Sequence, residues 1–164
     1  MAYALESMLR IRKMREDRAS EALIAARHAQ EKAATELRRR ERKHAGWLET
    51  KEERRDRVFA PIMGVPVTRD EIDIARETVS GIDEEGVLLH DGVVRAKAEL
   101  EAREKESEQA RGRHIVAMRD HEKIEQHKSV WREEDRRAQE YAADAELEEF
   151  TGRRMTDDDS DDFD

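Results

Sequence analysis

The chain has 164 residues, of which 45% are charged, 37% hydrophobic and only 4% aromatic. That is too little apolar bulk for a globular core, so the composition predicts a chain that buries a narrow apolar stripe. The net charge of −9 is uneven, because residues 1–60 carry 16 Lys and Arg against 11 Asp and Glu while the remainder carries 16 against 30. Without cysteine there is neither a disulfide nor a thiolate metal site, and no apolar run approaches a membrane span. We expect a soluble, cytoplasmic protein.

The first predicted element is one helix over residues 3–57, a segment of strong helix formers with a single Gly and no Pro. Its apolar residues recur at steps of three and four, interrupted by Arg12 and Arg40. This spacing is typical of a narrow coiled-coil seam. The predicted seam residues of this arm are Leu5, Leu9, Ala19, Leu23, Ala26, Ala33, Leu37 and Trp47.

Residues 58–91 are predicted to form the turning end, since both prolines and several glycines lie there. Thr68 followed by Glu71 is a capping-box pattern, so a short helix should begin near Arg69 and end near Gly81. The apolar segment at 58–67 is expected either to cap the hairpin or to form a docking surface. Its candidate interface residues are Phe59, Ile62, Met63 and Val65.

A second helical arm is predicted over residues 92–150, with glutamates four positions before Arg103, Lys105 and Arg137. Residues 153–164, which include six aspartates, are expected to form a disordered acidic tail. Residues 1–152 are then one coiled-coil hairpin. The predicted seam residues of the second arm are Leu100, Ala110, Ala117, Ile124, Trp131, Ala138, Tyr141 and Ala145.

The predicted fold is all-α, a long antiparallel two-helix coiled-coil hairpin with a short helical and loop tip. If the second arm begins near Gly92, the numbers of facing residues sum to about 150, and large side chains face small ones. Gly112→Leu should then destabilise the hairpin by more than helix propensity accounts for. The predicted pairs are Trp131 with Ala19, Trp47 with Ala102, Leu37 with Gly112, Tyr141 with Leu9, and Ile124 with Ala26.

The sequence contains no pattern typical of an enzyme, a cofactor site or a catalytic metal. The segment from His121 to Glu125 is similar to a helical zinc-protease motif but lacks its second histidine. His114 and His121 share a helix face, which favours a role in register or partner choice over metal binding. The basic cluster at residues 38–43 is interrupted by Glu41 and has no interleaved aromatics, which argues against nucleic-acid binding.

The N-terminal and C-terminal segments of the predicted hairpin resemble the YscO group of type III secretion stalk proteins, which are related to flagellar FliJ. The Trp47 region, Phe59 and the restart after Thr68 are also similar to that group. The residues at the ends that carry the resemblance are Tyr3, Leu5, Leu9, Arg10, Ile11, Arg12, Arg15, Glu16, Arg18, Ala19, Ala22, Ala25, Ala26, Ala29, Glu146, Glu149 and Phe150.

The resemblance implies a non-enzymatic stalk, similar to the γ subunit of rotary ATPases, peripheral to the inner-membrane secretion apparatus. Its partners would be the hexameric secretion ATPase, which it would stimulate, the export gate, and secretion chaperones. The apolar tip would face the export gate. The residues implied at the ATPase are Leu5, Leu9, Arg10, Arg12, Arg15 and Phe150.

Two further hypotheses stay open at this stage. The chain could be a generic coiled-coil adaptor or chaperone-binding protein with one partner, or a weak nucleic-acid binder. Stimulation of a hexameric ATPase would separate the stalk from the adaptor, and a steep salt dependence would mark nucleic-acid binding.

Overall fold

The computed structural model describes residues 3–158, with side chains over residues 3–149, and its architecture is two long helices. Helix α1 spans Glu6–Phe59, a single 3-10 turn spans Ala60–Ile62, and helix α2 spans Arg69–Asp158. The predicted all-α fold is confirmed. Within the described residues, neither helix has a stretch long and apolar enough to cross a membrane.

The chain divides into two compact units, each built from a stretch of both helices. The terminal unit consists of residues 1–19 and 114–164, of which 3–19 and 114–158 are described, and the turn unit consists of Ser20–Arg113. In each unit α1 and α2 run antiparallel and face each other along one seam, which confirms the predicted coiled-coil hairpin.

The turn between the helices is short because its backbone is tightly specified. Pro61 lies in the first turn of the 3-10 helix, and Gly64 adopts a φ of 76°, a left-handed conformation that favours glycine. The capping box is confirmed: the Thr68 backbone N–H donates to Glu71 Oε2 at 2.7 Å, and the Glu71 N–H donates to Thr68 Oγ1 at 3.3 Å. These bonds start α2 at Arg69.

The prediction of a short tip helix followed by a second arm from residue 92 is wrong. Helix α2 continues without a break from Arg69 through Gly81 and Gly92. A helical glycine costs only about 1 kcal/mol relative to alanine, and the seam runs on through this segment. Ala75, Val79 and Ile82 are all buried there. Burial of these side chains outweighs the low propensity of the glycines.

The seam of the turn unit follows a strict heptad spacing of alternating three- and four-residue steps. The α1 residues predicted for it are buried or half-buried, but polar side chains such as Gln30 and Lys51 occupy other seam positions. Trp47 and Leu23 are buried on α1, and Ala110 on α2 is only 2% exposed. An interface with this many polar positions specifies alignment more than it supplies stability.

The predicted register is wrong, although the principle of large facing small is correct. Trp47 packs against Gly86, not Ala102: a Cβ atom at Gly86 would lie 2.2 Å from Trp47 Cη2. The numbers of facing residues therefore sum to about 133, because the turn is shorter than expected. Gly112 has no neighbour within 4 Å of a Cβ atom placed on it, so it does not receive Leu37.

Ion pairs and hydrogen bonds of charged side chains join the two helices of the turn unit beside the seam. Arg54 Nη2 lies 2.6 Å from Glu85 Oε2 across the helices, and the Arg40 Nη1–H donates to the Gly92 carbonyl at 3.1 Å. Exposed pairs of this kind contribute roughly 0–1 kcal/mol each, so they adjust the register rather than hold it.

The segment predicted to be a disordered acidic tail overlaps the end of the second helix. Residues 153–158 belong to α2, and residues 159–164 lie outside the described residues. The treatment of residues 1–152 as a single domain stays a prediction.

Candidate protein-binding surfaces

The terminal unit is closed by an aromatic and polar cluster around Tyr3, which is buried. The Tyr3 hydroxyl and His127 Nδ1 share a hydrogen bond of 2.8 Å, and the Tyr3 ring lies 5.3 Å from the Trp131 ring. Lys128 Nζ donates to Glu6 Oε2 at 2.6 Å, and this bond lowers the pKa of Glu6. The cluster fixes the start of α1 on α2.

The seam of the terminal unit carries paired polar side chains where a coiled coil usually has apolar residues. His121 is nearly buried, with its Nδ1 2.8 Å from Glu16 Oε2 and its Nε2 3.5 Å from Glu125. Arg12 is hydrogen-bonded to Asp120 on the facing helix. Polar seam pairs of this kind specify register and partner choice. Within the part of the chain whose side chains are described, no three acidic or histidine side chains converge as a metal site.

The structure separates the six residues implied at the ATPase into different roles. Leu5 and Leu9 are half-buried in the seam, and Arg12 is held by Asp120. Arg10 and Arg15 are exposed. Phe150 falls within α2, and its side chain lies outside the described residues. Arg10 and Arg15 are thus open to a partner, and Leu9 is partly accessible because it lines a surface groove.

Sequence reasoning missed an apolar groove in the terminal unit. This terminal groove has a volume of about 710 Å³, and its apolar residues are Leu9, Met14 and Met118. Its rim is charged, with more acidic than basic residues: Glu6, Glu16, Glu122 and Glu125 against Arg10 and Lys13. The methionine side chain adapts its shape to different partners. Met14 lies off the seam and is 48% exposed. The signal that could have identified the groove is the pair of methionines, Met14 and Met118, that flank the seam on the two helices.

The predicted seam does not extend through residues 132–149 of α2. In that segment every residue except Asp135 is exposed, and Tyr141 is 76% exposed. The expectation that Ala138, Tyr141 and Ala145 form a buried seam is therefore wrong, because in the observed register α2 continues past the contacts of Tyr3. The segment is an exposed acidic helix with three Arg against eight Asp and Glu.

The four candidate residues of the turn are not equally available. Met63 is 73% exposed and Val65 51% exposed, whereas Ile62 is half-buried and Phe59 is at the border of exposure. Part of the apolar segment of the turn is therefore half-buried and part faces outwards, and its role as a docking surface stays a prediction. Met63 and Val65 are the side chains that a partner could cover.

A further aromatic group lies in the seam of the turn unit. Trp47 is buried, stacks on His44 at a ring separation of 6.2 Å, and carries Lys51 Nζ 5.2 Å above its ring. His90 lies 5.5 Å from His44 across the helices. This group anchors the register by filling the space above Gly86.

The described residues form an antiparallel coiled-coil hairpin that exposes apolar and charged side chains. The family model described as type III secretion protein YscO matches residues 5–153. The chain therefore belongs to the YscO family of type III secretion proteins. No curated protein matches the chain.

Two solved structures are similar to this chain. The crystal structure of type III secretion protein YscO from Vibrio parahaemolyticus is 28% identical, covers 89% of this chain and 92% of its own, and superposes with a TM-score of 0.78. A Chlamydia trachomatis protein described as a YscO homologue is 22% identical, covers 98% and 99% of the two chains, and has a TM-score of 0.75. The second likeness supports the fold alone.

Proposed function

We propose that this YscO-family protein is a non-enzymatic central stalk component that links the hexameric secretion ATPase to the export gate and stimulates ATP turnover. Its place would be the cytoplasmic side of the inner membrane, peripheral to the secretion apparatus. Secretion chaperones are further proposed partners. The observation that carries the proposal is the terminal unit, where a groove that contains Leu9, Met14 and Met118 stays open beside the exposed Arg10.

The proposed ATPase contact uses Arg10, Arg15 and the terminal groove. Arg10 borders the groove, and both arginines point to solvent at the start of α1. Arg12 is left out of the test below because it is hydrogen-bonded to Asp120, so its replacement would disturb the hairpin itself. Several exposed charges around a small apolar centre suit a contact that forms and breaks repeatedly.

The test measures ring assembly and ATP hydrolysis by the purified secretion ATPase with and without this protein. We expect stimulation by the wild type and loss of most of it with the double variant Arg10→Glu and Arg15→Glu. The matched control, Arg27→Glu with Lys32→Glu, makes the same charge change at two exposed positions of the turn unit and should stimulate normally. Circular dichroism should show equal helicity in all three proteins.

Absence of stimulation by the wild type would contradict the stalk proposal and favour the generic adaptor. Equal loss of stimulation in the control pair would mean that only overall charge matters. A nucleic-acid role has little support, because Glu36 forms ion pairs with Arg39 and Arg40 in the basic cluster.

The proposed export-gate contact uses the exposed side chains of the turn. We expect Met63→Ser with Val65→Ser to weaken binding to the purified cytosolic domain of the export gate and to leave ATPase stimulation unchanged. Ile74→Ser is the control, since Ile74 is 64% exposed on α2 outside the turn. Loss of both activities together would argue against two separable contacts.

A further inference from the structure

The turn unit contains a recess on one side of the seam, outside the turn itself. This basic recess has a volume of about 240 Å³, an apolar floor and a cationic rim. It lies among exposed and half-buried residues of both helices. Its lining residues are Arg39, Arg40, Lys43, Leu88, Leu89 and Gly92.

The floor of the basic recess is apolar and available. Leu88 is 67% exposed, and Leu89 is half-buried at a seam position beneath it. Gly92 keeps the space open, because a Cβ atom there would lie 3.6 Å from Arg40 Nη1 and occupy part of the recess. A leucine exposed to this extent contributes little to the packing of its own hairpin, so a partner could bury it at no cost to the fold.

The rim carries more positive than negative charge, although the protein as a whole is acidic. Arg39 and Arg40 both bond to the carboxylate of Glu36, at 2.7 Å each. Lys43 makes no ion pair with any residue whose side chain is described. One carboxylate therefore serves two guanidinium groups, and the ammonium group of Lys43 has no anion of its own.

A second recess of about 320 Å³ adjoins the first and shares Arg40 with it. Ala33, Ala96 and Glu99 are among its lining residues. The second recess is also lined by Glu36 and Arg95, and we refer to the two neighbouring recesses together as one groove. From Leu88 to Glu99 it extends about 16 Å at 1.5 Å per helical residue, which is about three turns of a partner helix.

We propose that this groove binds an acidic amphipathic helix of another protein. An apolar side chain of that helix would cover Leu88 and Leu89, and carboxylates on the flanking positions would face Lys43 and Arg39. Charge complementarity selects an acidic occupant, and the apolar floor selects a helix with an apolar stripe rather than a polyanion. This site is separate from the proposed ATPase and export-gate contacts.

The experiment measures binding of the full-length protein to a labelled synthetic helix by fluorescence anisotropy. The probe carries leucine at its heptad positions and glutamate beside them. One twin replaces the glutamates by lysine, and the other replaces the leucines by glutamine. We expect the probe to bind and each twin to bind at least about tenfold more weakly, the loss that follows from one uncovered leucine or from reversed charge.

Two variants of this chain locate the contact. Leu88→Ala should weaken binding of the probe about tenfold because the apolar floor is lost. Lys43→Glu should weaken binding further, because the new carboxylate repels the glutamates of the probe. The controls are Val87→Ala, which changes a 60% exposed neighbour outside the recess, and Lys32→Glu, which makes the same charge change elsewhere on α1. Both controls should bind the probe as the wild type does, and circular dichroism should show unchanged helicity in all four.

Several results would overturn the proposal. Equal binding of the glutamine twin would mean that charge alone attracts the probe, and an equal loss in either control would place the contact elsewhere. Failure of the probe to bind would remove the site. Concentration-dependent self-association in sedimentation velocity, abolished by Leu88→Ala, would make a second copy of this chain the occupant.

Discussion

The packing of Trp47 against Gly86 predicts that alanine at this glycine destabilises the hairpin. A Cβ atom at Gly86 would lie 2.2 Å from Trp47 Cη2 and 2.8 Å from Cζ3, so the indole ring must move. Helix propensity alone would favour the alanine by about 1 kcal/mol. Overpacking of a well-filled interface costs typically 1–3 kcal/mol, about twice that gain. We therefore expect Gly86→Ala to lower the free energy of unfolding by about 1 kcal/mol.

The assay is urea denaturation followed by circular dichroism, with Gly112→Ala as the matched variant. Gly112 has no atom within 4 Å of an added Cβ, so the same substitution should stabilise the protein there by about 1 kcal/mol. The two changes are chemically identical and should have opposite signs. For the same reason the destabilisation by Gly112→Leu predicted from the sequence is no longer expected.

A double variant tests whether the ring causes the effect. Trp47→Leu combined with Gly86→Ala should be less destabilised than the sum of the single variants, since the smaller side chain relieves the clash. If Gly86→Ala stabilised the protein as much as Gly112→Ala does, the contact between the ring and the glycine, and with it the register, would be refuted.

Three further predictions concern polar contacts. The two arginine partners of Glu36 lower its pKa from 4.5 to about 2, so the carboxylate stabilises the fold above pH 4.5 and loses this effect as the pH falls to about 2. Glu36→Gln should lower Tm at pH 7, and the difference in Tm should close over that interval. Thr68→Ala should cost about 1 kcal/mol at the start of α2. Hydrogen bonds from Thr68 lower the pKa of Glu71. The substitution should therefore also raise the pKa of Glu71, as an NMR titration of the carboxyl group would show. Tyr3→Phe removes the hydrogen bond to His127 at a cost of about 1 kcal/mol, measurable as faster amide exchange in the first turns of α1.

Each of these outcomes has a distinct contrary result. A constant difference in Tm between Glu36→Gln and the wild type across the acid range would mean that the Glu36 carboxylate does not stabilise the fold through its charge. An unchanged carboxyl titration in the threonine variant would contradict the capping box. Unchanged amide exchange in the tyrosine variant would mean that its ring contacts alone hold the start of α1.

The apolar seam was predictable from the sequence because the interface residues of a coiled coil recur every three or four positions along each helix. Leucines and alanines spaced by three and four residues mark one helix face whatever that face contacts. Leu23, Trp47 and Ala110 were predicted for the seam and are buried. The capping box at Thr68 was predictable for the same reason, since both of its hydrogen bonds join residues three apart.

The register was decided only by the tertiary structure, because it depends on contacts between distant residues. Several glycines and alanines of α2 could have received Trp47, and the sequence pattern fits them comparably well. The short turn ending at Arg69 selects Gly86 as the residue that receives Trp47. The local pattern therefore determined which face of each helix is buried. The geometry of the turn determined which residues meet across it, and hence where the grooves and exposed charges of this protein lie.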